Sequence, residues 1–158
     1  MTIDEVTFRR LLGAVPTAVA VLTVVDAEGV DRAMTVGAFA SVSLDPPLVL
    51  VCIGGDATIA EPARTAASFG ISVLADDQVD LSRRFADRAN RDLDGVASVR
   101  GPAGTALLGG AVAHIECAIV ARHPGGDHTI VVGELRHGAT FDKLPLLHHR
   151  GGYSRLER

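Results

Sequence analysis

The sequence predicts a mainly β fold closed into a barrel, with a few short helices on its flanks. Three observations predict it. Short runs rich in Val, Leu, Ile and Thr recur along the chain, at 17–25, 30–44, 48–53, 69–74, 111–120 and 129–135. Turn residues separate several of them: Asp26-Ala27-Glu28-Gly29, Pro46-Pro47, Gly54-Gly55 and Pro124-Gly125-Gly126-Asp127. Only three stretches carry helical spacing, at 3–14, 58–67 and 77–88, too few to supply the crossovers of a parallel sheet.

Each element has its own signal. Thr2 and Glu5 have the spacing of a capping box, and Ile3, Val6, Phe8, Leu11, Leu12 and Val15 mark one helical face. A helix over Ile3 to Ala14 follows, closed near Gly13 and Pro16. Thr17 to Val25 reads as one buried strand, and Val30 to Met34 begins the return. Pro46-Pro47 lack the N–H groups a ladder needs and so separate two strands. Leu48 to Ile53 is continuously apolar, the pattern of a strand covered on both faces. Thr58-Ile59-Ala60-Glu61 has capping-box spacing for a short helix to Ala67, although Pro62 prefers the first helical position. Phe69 to Leu74 is a strand with Ser72 as its polar member, and Asp77 to Arg88 a helix with Val79, Leu81 and Phe85 as apolar points. The polar stretch 90–105, with Gly101, Pro102 and Gly104, reads as a surface loop. Ala111 to Val120 and Thr129 to Leu135 form a hairpin across Pro124-Gly125-Gly126-Asp127. Pro145 to His148 and Tyr153 to Leu156 make the tail.

Composition bounds the function. A chain of 158 residues with 47% hydrophobic residues is expected to form a single domain over 1–158 with a sizeable core. The formal net charge of -4, without a basic block, argues against nucleic acid as a partner. No apolar run reaches the ~18 residues of a membrane helix, so no membrane association is expected. The acidic start Met1-Thr2-Ile3-Asp4-Glu5 lacks the basic region of a secretory signal. Cys52 and Cys117 both lie in apolar runs, as expected of reduced thiols in a cytoplasmic protein. The six histidines, His114, His123, His128, His137, His148 and His149, show no usual ligand spacing, so no metal site is expected. Gly-x-Ser-x-Gly, P-loop and dinucleotide-binding glycine motifs are absent.

One stretch stands apart. The twelve residues from Ala33 to Leu44 carry no charge, and Gly37, Ala38 and Ala40 offer almost no side chain. Small residues let a flat ligand approach main-chain N–H and C=O groups. The plain alternative is a core strand with a tight crossing.

The same stretch resembles the flavin-binding segment of the short-chain flavin reductases, the reductase components of two-component flavin-dependent monooxygenases. The similarity covers Thr35 to Phe39 and Ser41 to Val51. It continues in order through Ser68 to Leu74, Leu81-Ser82-Arg83-Arg84-Phe85-Ala86, Ala113 to Cys117, Gly126-Asp127-His128, and Pro145-Leu146-Leu147 before Gly152-Tyr153. It spans about Phe8 to Leu156. The resemblance implies an FMN-binding split β-barrel of Greek-key character, a homodimer with flavin near the subunit interface, and NADH or NADPH docking transiently over FMN or FAD. It also implies a separate monooxygenase that receives reduced flavin.

The resemblance places Thr35, Val36, Gly37, Ala38, Phe39, Ser41 and Val42 along the flavin ring and ribityl chain. Asp56, Ala57, Thr58, Pro62 and Ala63 correspond to the phosphate end, and Arg88 reaches the nucleotide. Ser72 stands where many relatives carry Asn. His128 is placed beside the nicotinamide as the catalytic candidate, with Tyr153 on the same side. Without the resemblance, His128 reads equally as a solvated turn residue, Tyr153 as a half-buried aromatic, and Arg83-Arg84 as a solvated helix face. Relatives often carry Ser or Asn where Gly37 and Ala38 stand, so flavin contacts here must come from the backbone. Relatives also place Lys or Ser near the phosphate where this chain has Asp56, and an acid there is unfavourable unless Arg64 or Arg88, or the start of the Thr58 helix, offsets it.

The reaction implied is hydride transfer, which needs no general base on the protein because the cofactors carry the chemistry. Main-chain N–H groups around Val36 to Phe39 and Ser41-Val42 are placed to stabilise the negative charge of reduced flavin. Two other readings remain at this level: a flavin-binding carrier or sensor without nucleotide turnover, and an oxidase of the pyridoxamine-phosphate type on the same barrel.

Overall fold

The computed structural model describes residues 2–157; Met1 and Arg158, the ends of the expected domain, lie outside them. Its elements are α1 (Glu5–Gly13), β1 (Thr17–Ala18), β2 (Ala20–Val25), β3 (Asp31–Val36), β4 (Phe39–Leu44), β5 (Pro47–Gly54), α2 (Ala60–Thr65) and β6 (Ser68–Val73). There follow α3 (Val79–Ala86), β7 (Ser98–Arg100), β8 (Ala106–Leu108), β9 (Ala113–Gly125), β10 (His128–Thr140), β11 (Leu146–His149) and β12 (Gly152–Arg155).

Seven strands form one antiparallel sheet in the order β3-β2-β6-β9-β10-β5-β4. Its two outermost strands, β3 and β4, are separated in sequence only by Gly37 and Ala38. The sheet must therefore curl until its edges meet, and the fold is a split β-barrel with a few flanking helices. A second sheet, β1-β11-β12, covers one end, and β7 pairs with β8.

Strand alternation sorts the core into two clusters. Ala20, Leu22 and Val24 of β2 point into the barrel with Val51, Ile53, Phe69, Ile71 and Val131. Val21 faces the other way, into a cluster with Val19, Leu74, Phe85, Leu108 and Leu146 that seats α3. Each buried Val, Leu, Ile or Phe among them contributes about 1.5–3 kcal/mol. Gly133 makes room for the barrel core, since a Cβ there would lie 2.5 Å from Phe69.

Several local expectations are corrected. The run 17–25 is two strands: Val19 donates to the Leu146 carbonyl at 3.0 Å and accepts from Leu74 at 2.9 Å, so the chain changes sheet there. The cap of α1 is Asp4, whose carboxylate accepts from the Thr7 N–H at 2.8 Å, and not Thr2. The apolar face of α1 is exposed, because among the described residues no element covers it. On β5 only Val51 and Ile53 are buried; Leu48, Val49, Leu50 and Cys52 are half-buried, because the strand lies next to edge strand β4. The α2 helix begins after Ile59, which is fully buried, so the Thr58 capping box is not formed. The polar stretch 90–105 contains β7, which pairs with β8 across a turn at Gly101 to Thr105. Both cysteines are free, and burial, helped by the neighbouring Glu116 charge, pushes the Cys117 thiol up to about 12.

Candidate functional site

The floor of the site is the end of β3. Barrel closure leaves Gly37 and Ala38 exposed where the two sheet edges meet, while Val36 is buried beneath them. The α3 helix crosses β3, because Val79 and Phe85 need an apolar seat. Ser82 shares their face, so its buried hydroxyl needs a partner. Its partner is the Tyr153 hydroxyl of β12, at 2.9 Å. Thr35 Oγ1 donates to the Ser82 carbonyl at 2.7 Å. Floor, helix and the β11–β12 hairpin are thus tied around one cleft of about 220 Å³, lined by Thr17, Thr35, Gly37, Ala86, His148 and Tyr153 among others. The Tyr153 ring meets His148 edge-on at 5.9 Å, and the Arg83 guanidinium stands 5.8 Å from its centroid. A Cβ on Gly37 would lie 3.3 Å from Thr17 Oγ1, so the glycine keeps this floor open.

A second cleft of about 240 Å³ is lined by Met34, Thr35, Asp56, Ala57, Thr58, Ala86 and Arg88, among others. Thr35 and Ala86 line both, so the two clefts adjoin, one as the aromatic end and the other as the charged end of the site. At the charged end Arg88 donates to Asp56. That hydrogen bond and the Arg88 charge hold Asp56 below the ordinary carboxylate range, against burial and the nearby Asp127 charge. Arg64 does not serve here; it pairs with Glu61 at 3.0 Å. The six-residue α2 offers no helix-end site either.

His128 opens β10 opposite Gly54. Its Nδ1 lies 2.7 Å from Asp127 Oδ1, a contact that holds Asp127 below its ordinary range. A Cβ on Gly54 would lie 3.6 Å from His128 Nε2 and 3.3 Å from Asp56 Oδ1, so His128 stands beside the charged end.

The structure thus brings Thr35, Val36, Gly37 and Tyr153 to the aromatic end, and Asp56, Ala57, Thr58 and Arg88 to the charged end. Ala38, Ser41 and Val42 continue the floor as exposed rim, with Phe39 half-buried between them. Ala63 is not in the groove; it lies on the inward face of α2, packed in the barrel core. Pro62 turns to a neighbouring groove with Arg32 and Arg91. Ser72 is fully buried and accepts from the Leu108 N–H at 2.8 Å, away from the groove. Arg83 and Arg84 are not a simply solvated pair. Arg83 stands over Tyr153, and Arg84 donates to the Asp94 carbonyl at 2.8 Å. Sequence reasoning missed Ser82, His148 and Thr17 as site residues. Ser82 had a signal, a small polar residue three positions from Val79 and from Phe85 on an apolar face.

Comparison with known proteins gives the family. A family model described as a flavin reductase like domain matches residues 12–157. The NADH-dependent FMN reductase AsuE2 of Streptomyces nodosus subsp. asukaensis is 44% identical over 159 residues, covering 95% of this chain and 84% of its own. The solved NADH:FAD oxidoreductase SgcE6 of Streptomyces globisporus C-1027, in complex with NAD and FAD fragments, superposes with a TM-score of 0.92 at 40% identity. That match covers 98% of this chain and 93% of SgcE6. BorF, the flavin reductase component of a bacterial two-component tryptophan halogenase, superposes at 0.91 with 37% identity, over 98% of this chain and 99% of its own. With its barrel, its groove and these relatives together, the chain belongs to the flavin reductase like family.

Proposed function

We propose that the chain is an NAD(P)H:flavin oxidoreductase that reduces FMN or FAD by hydride transfer and supplies free reduced flavin to a separate monooxygenase. The observation that carries this reading is the groove, open over Gly37 at one end and lined by Arg88 and Thr58 at the other. A flat ring with an anionic tail fits that donor set: exposed backbone and small side chains at the floor, and a guanidinium and a hydroxyl at the tail. Bound flavin supplies the hydride acceptor at its N5 atom.

The chain's own residues bind and orient. Thr35, Val36, Gly37, Ala38, Phe39, Ser41 and Val42 form the floor and its rim. Arg88 and Thr58 hold the phosphate, with Ala57 beside them, and Asp56 holds Arg88 in place when the tail is absent. A nicotinamide over the floor would meet Tyr153 at the aromatic end, and His128 would stand beside the charged end of the same groove. Asp127 fixes the imidazole from its Nδ1 side and turns Nε2 toward a carboxamide or phosphate oxygen. Ser82 fixes the Tyr153 hydroxyl.

The working unit is a homodimer, cytoplasmic, with one domain over 1–158. Exposed apolar residues support the dimer: Leu44 is 91% exposed on edge strand β4, and Val42, Val120, Phe141 and Val6 are also open to solvent. Among the described residues no helix is long and apolar enough to cross a membrane.

The test is anaerobic addition of NADH to excess FMN or FAD with catalytic amounts of the protein, its mass read by light scattering. Multiple-turnover bleaching by a dimeric species is expected. A carrier or sensor would leave the flavin oxidised, and a monomer at micromolar concentration would remove the dimer.

A further inference from the structure

We propose that Asp56 selects between flavins: paired with Arg88, its carboxylate disfavours the doubly charged phosphate monoester of FMN and leaves FAD, whose inner phosphate carries one charge, as the preferred substrate. The proposal rests on the reductase reading above and names the flavin it uses. The cleft at the charged end is lined by two carboxylates, Asp56 and Asp87, and by one guanidinium, Arg88. A third acid stands close by. The Gly55 N–H donates to the Asp127 carbonyl at 2.9 Å, which docks the β9–β10 turn beside Asp56. The Asp127 charge is felt at Asp56, where it works against the lowering by Arg88. The His128 imidazole, held by Asp127, is the other titratable group beside Asp56. Among the described residues no other cation lines this cleft. Arg64 pairs with Glu61, and Lys143, the only lysine in the chain, lies 3.7 Å from Asp77.

Asp56 is the informative member. The Asp87 carboxylate accepts from the Ala89 N–H at 3.0 Å and from the Asn90 side chain at 3.1 Å, which accounts for it as a turn residue. Asp127 is engaged with His128 Nδ1. Asp56 has Arg88 as its partner, and both side chains are mostly exposed, at 74% and 68%. An exposed pair of this kind adds little stability, so the fold does not explain the acid.

The consequence is electrostatic. Arg88 meets a phosphate only by leaving Asp56, and the displaced carboxylate stays in the same cleft. A phosphodiester brings one negative charge there. A phosphate monoester near neutral pH brings about 1.5–2. The extra charge gains from one guanidinium and loses to the acids around it. At about 5 Å in water, one such repulsion changes affinity about threefold to fivefold. Thr58 also borders a groove of about 480 Å³, so the part of FAD beyond its first phosphate meets open space.

The experiment is fluorescence titration of the full chain, without NADH, with riboflavin, FMN, the methyl ester of FMN, and FAD. The ester differs from FMN by one charge and carries no adenosine. Titration at about pH 8 keeps the FMN phosphate doubly charged, well above its second ionisation near 6. The parental chain should bind FAD and the ester more tightly than FMN, the ester by about threefold to fivefold. Asp56→Asn and Asp56→Ala should each tighten FMN by about that factor relative to the ester. Asp56→Glu should keep the parental ratio, and riboflavin affinity should not move in any of the three. Added salt should narrow the parental difference, because it screens exposed charges. Asp56 is exposed, so none of these variants threatens the fold. A parental preference for FMN over FAD or over the ester overturns the proposal. So does a ratio unchanged in both neutral variants, or a riboflavin affinity that shifts in step with FMN. Each of these results leaves the reductase reading standing; that reading fails separately, if NADH does not bleach added flavin.

Discussion

At Gly37 the missing side chain is the functional feature. The position is exposed, so bulk there has no core to disturb, yet it closes over the floor beside Thr17. Gly37→Leu should weaken flavin binding at least about tenfold, the loss of one well-made contact surface, while the melting transition stays in place. His128 should behave in the opposite way. It stands outside the floor, held by Asp127, so His128→Ala should spare flavin affinity. It should lower kcat/KM for the nucleotide by roughly tenfold to a hundredfold, the cost of one lost contact. Flavin fluorescence titration and anaerobic stopped-flow reduction read the two variants together. Equal flavin affinity in Gly37→Leu sinks the floor, and a parental reduction rate in His128→Ala returns it to a turn residue. The floor was legible because absence of bulk is a property of sequence alone. The Ser82–Tyr153 contact was not, since it joins residues that only tertiary packing brings together.

The β9 strand carries the element with the most polar demand. Glu116 is fully buried on it. Its carboxylate accepts from the Ala103 N–H at 2.9 Å, the Thr105 N–H at 3.0 Å and the Thr105 hydroxyl at 2.6 Å. These donors tie β9 to the β7–β8 turn, and Gly101 is required there, since a Cβ would lie 2.5 Å from Glu116. Burial alone would raise the Glu116 pKa, but the donors outweigh it and leave it lowered. A group with a depressed folded pKa stabilises fully above its unfolded value and loses that contribution as pH falls through the folded one. Glu116→Gln should therefore cost about 1.5–3 kcal/mol at pH 7, as for hydrogen bonds to a charged group, and flatten the fall in stability below about pH 4.3. Urea denaturation at neutral and acid pH measures both. Identical pH dependence in variant and parent would contradict the account. The strand itself was legible from its apolar run. Its partner hairpin was not, because Ser98, Val99 and Arg100 are exposed and carry no periodic apolar signal.

At the scale of the molecule, barrel closure was legible in outline. Short strands, tight turns and few helices predict it, and the ordered motifs made it specific. The exchange between sheets at Val19 was hidden, because an unbroken apolar run looks the same whether one sheet or two receive it. The exposed α1 face shows a further limit: periodicity gives the face but not what lies against it. The groove follows from closure, since the edges β3 and β4 meet at Gly37 and Ala38 and leave backbone exposed. The groove is also open at the surface, and Arg88 is already paired with an acid at its charged end. Both features suit a flavin that comes and goes. The most direct measurement is anaerobic ultrafiltration after NADH is added to the protein with a several-fold excess of FMN or FAD. Reduced flavin should pass the membrane in amounts well above the protein present. Reduction limited to one flavin per chain, retained with the protein, would contradict the claim that this chain makes and releases reduced flavin.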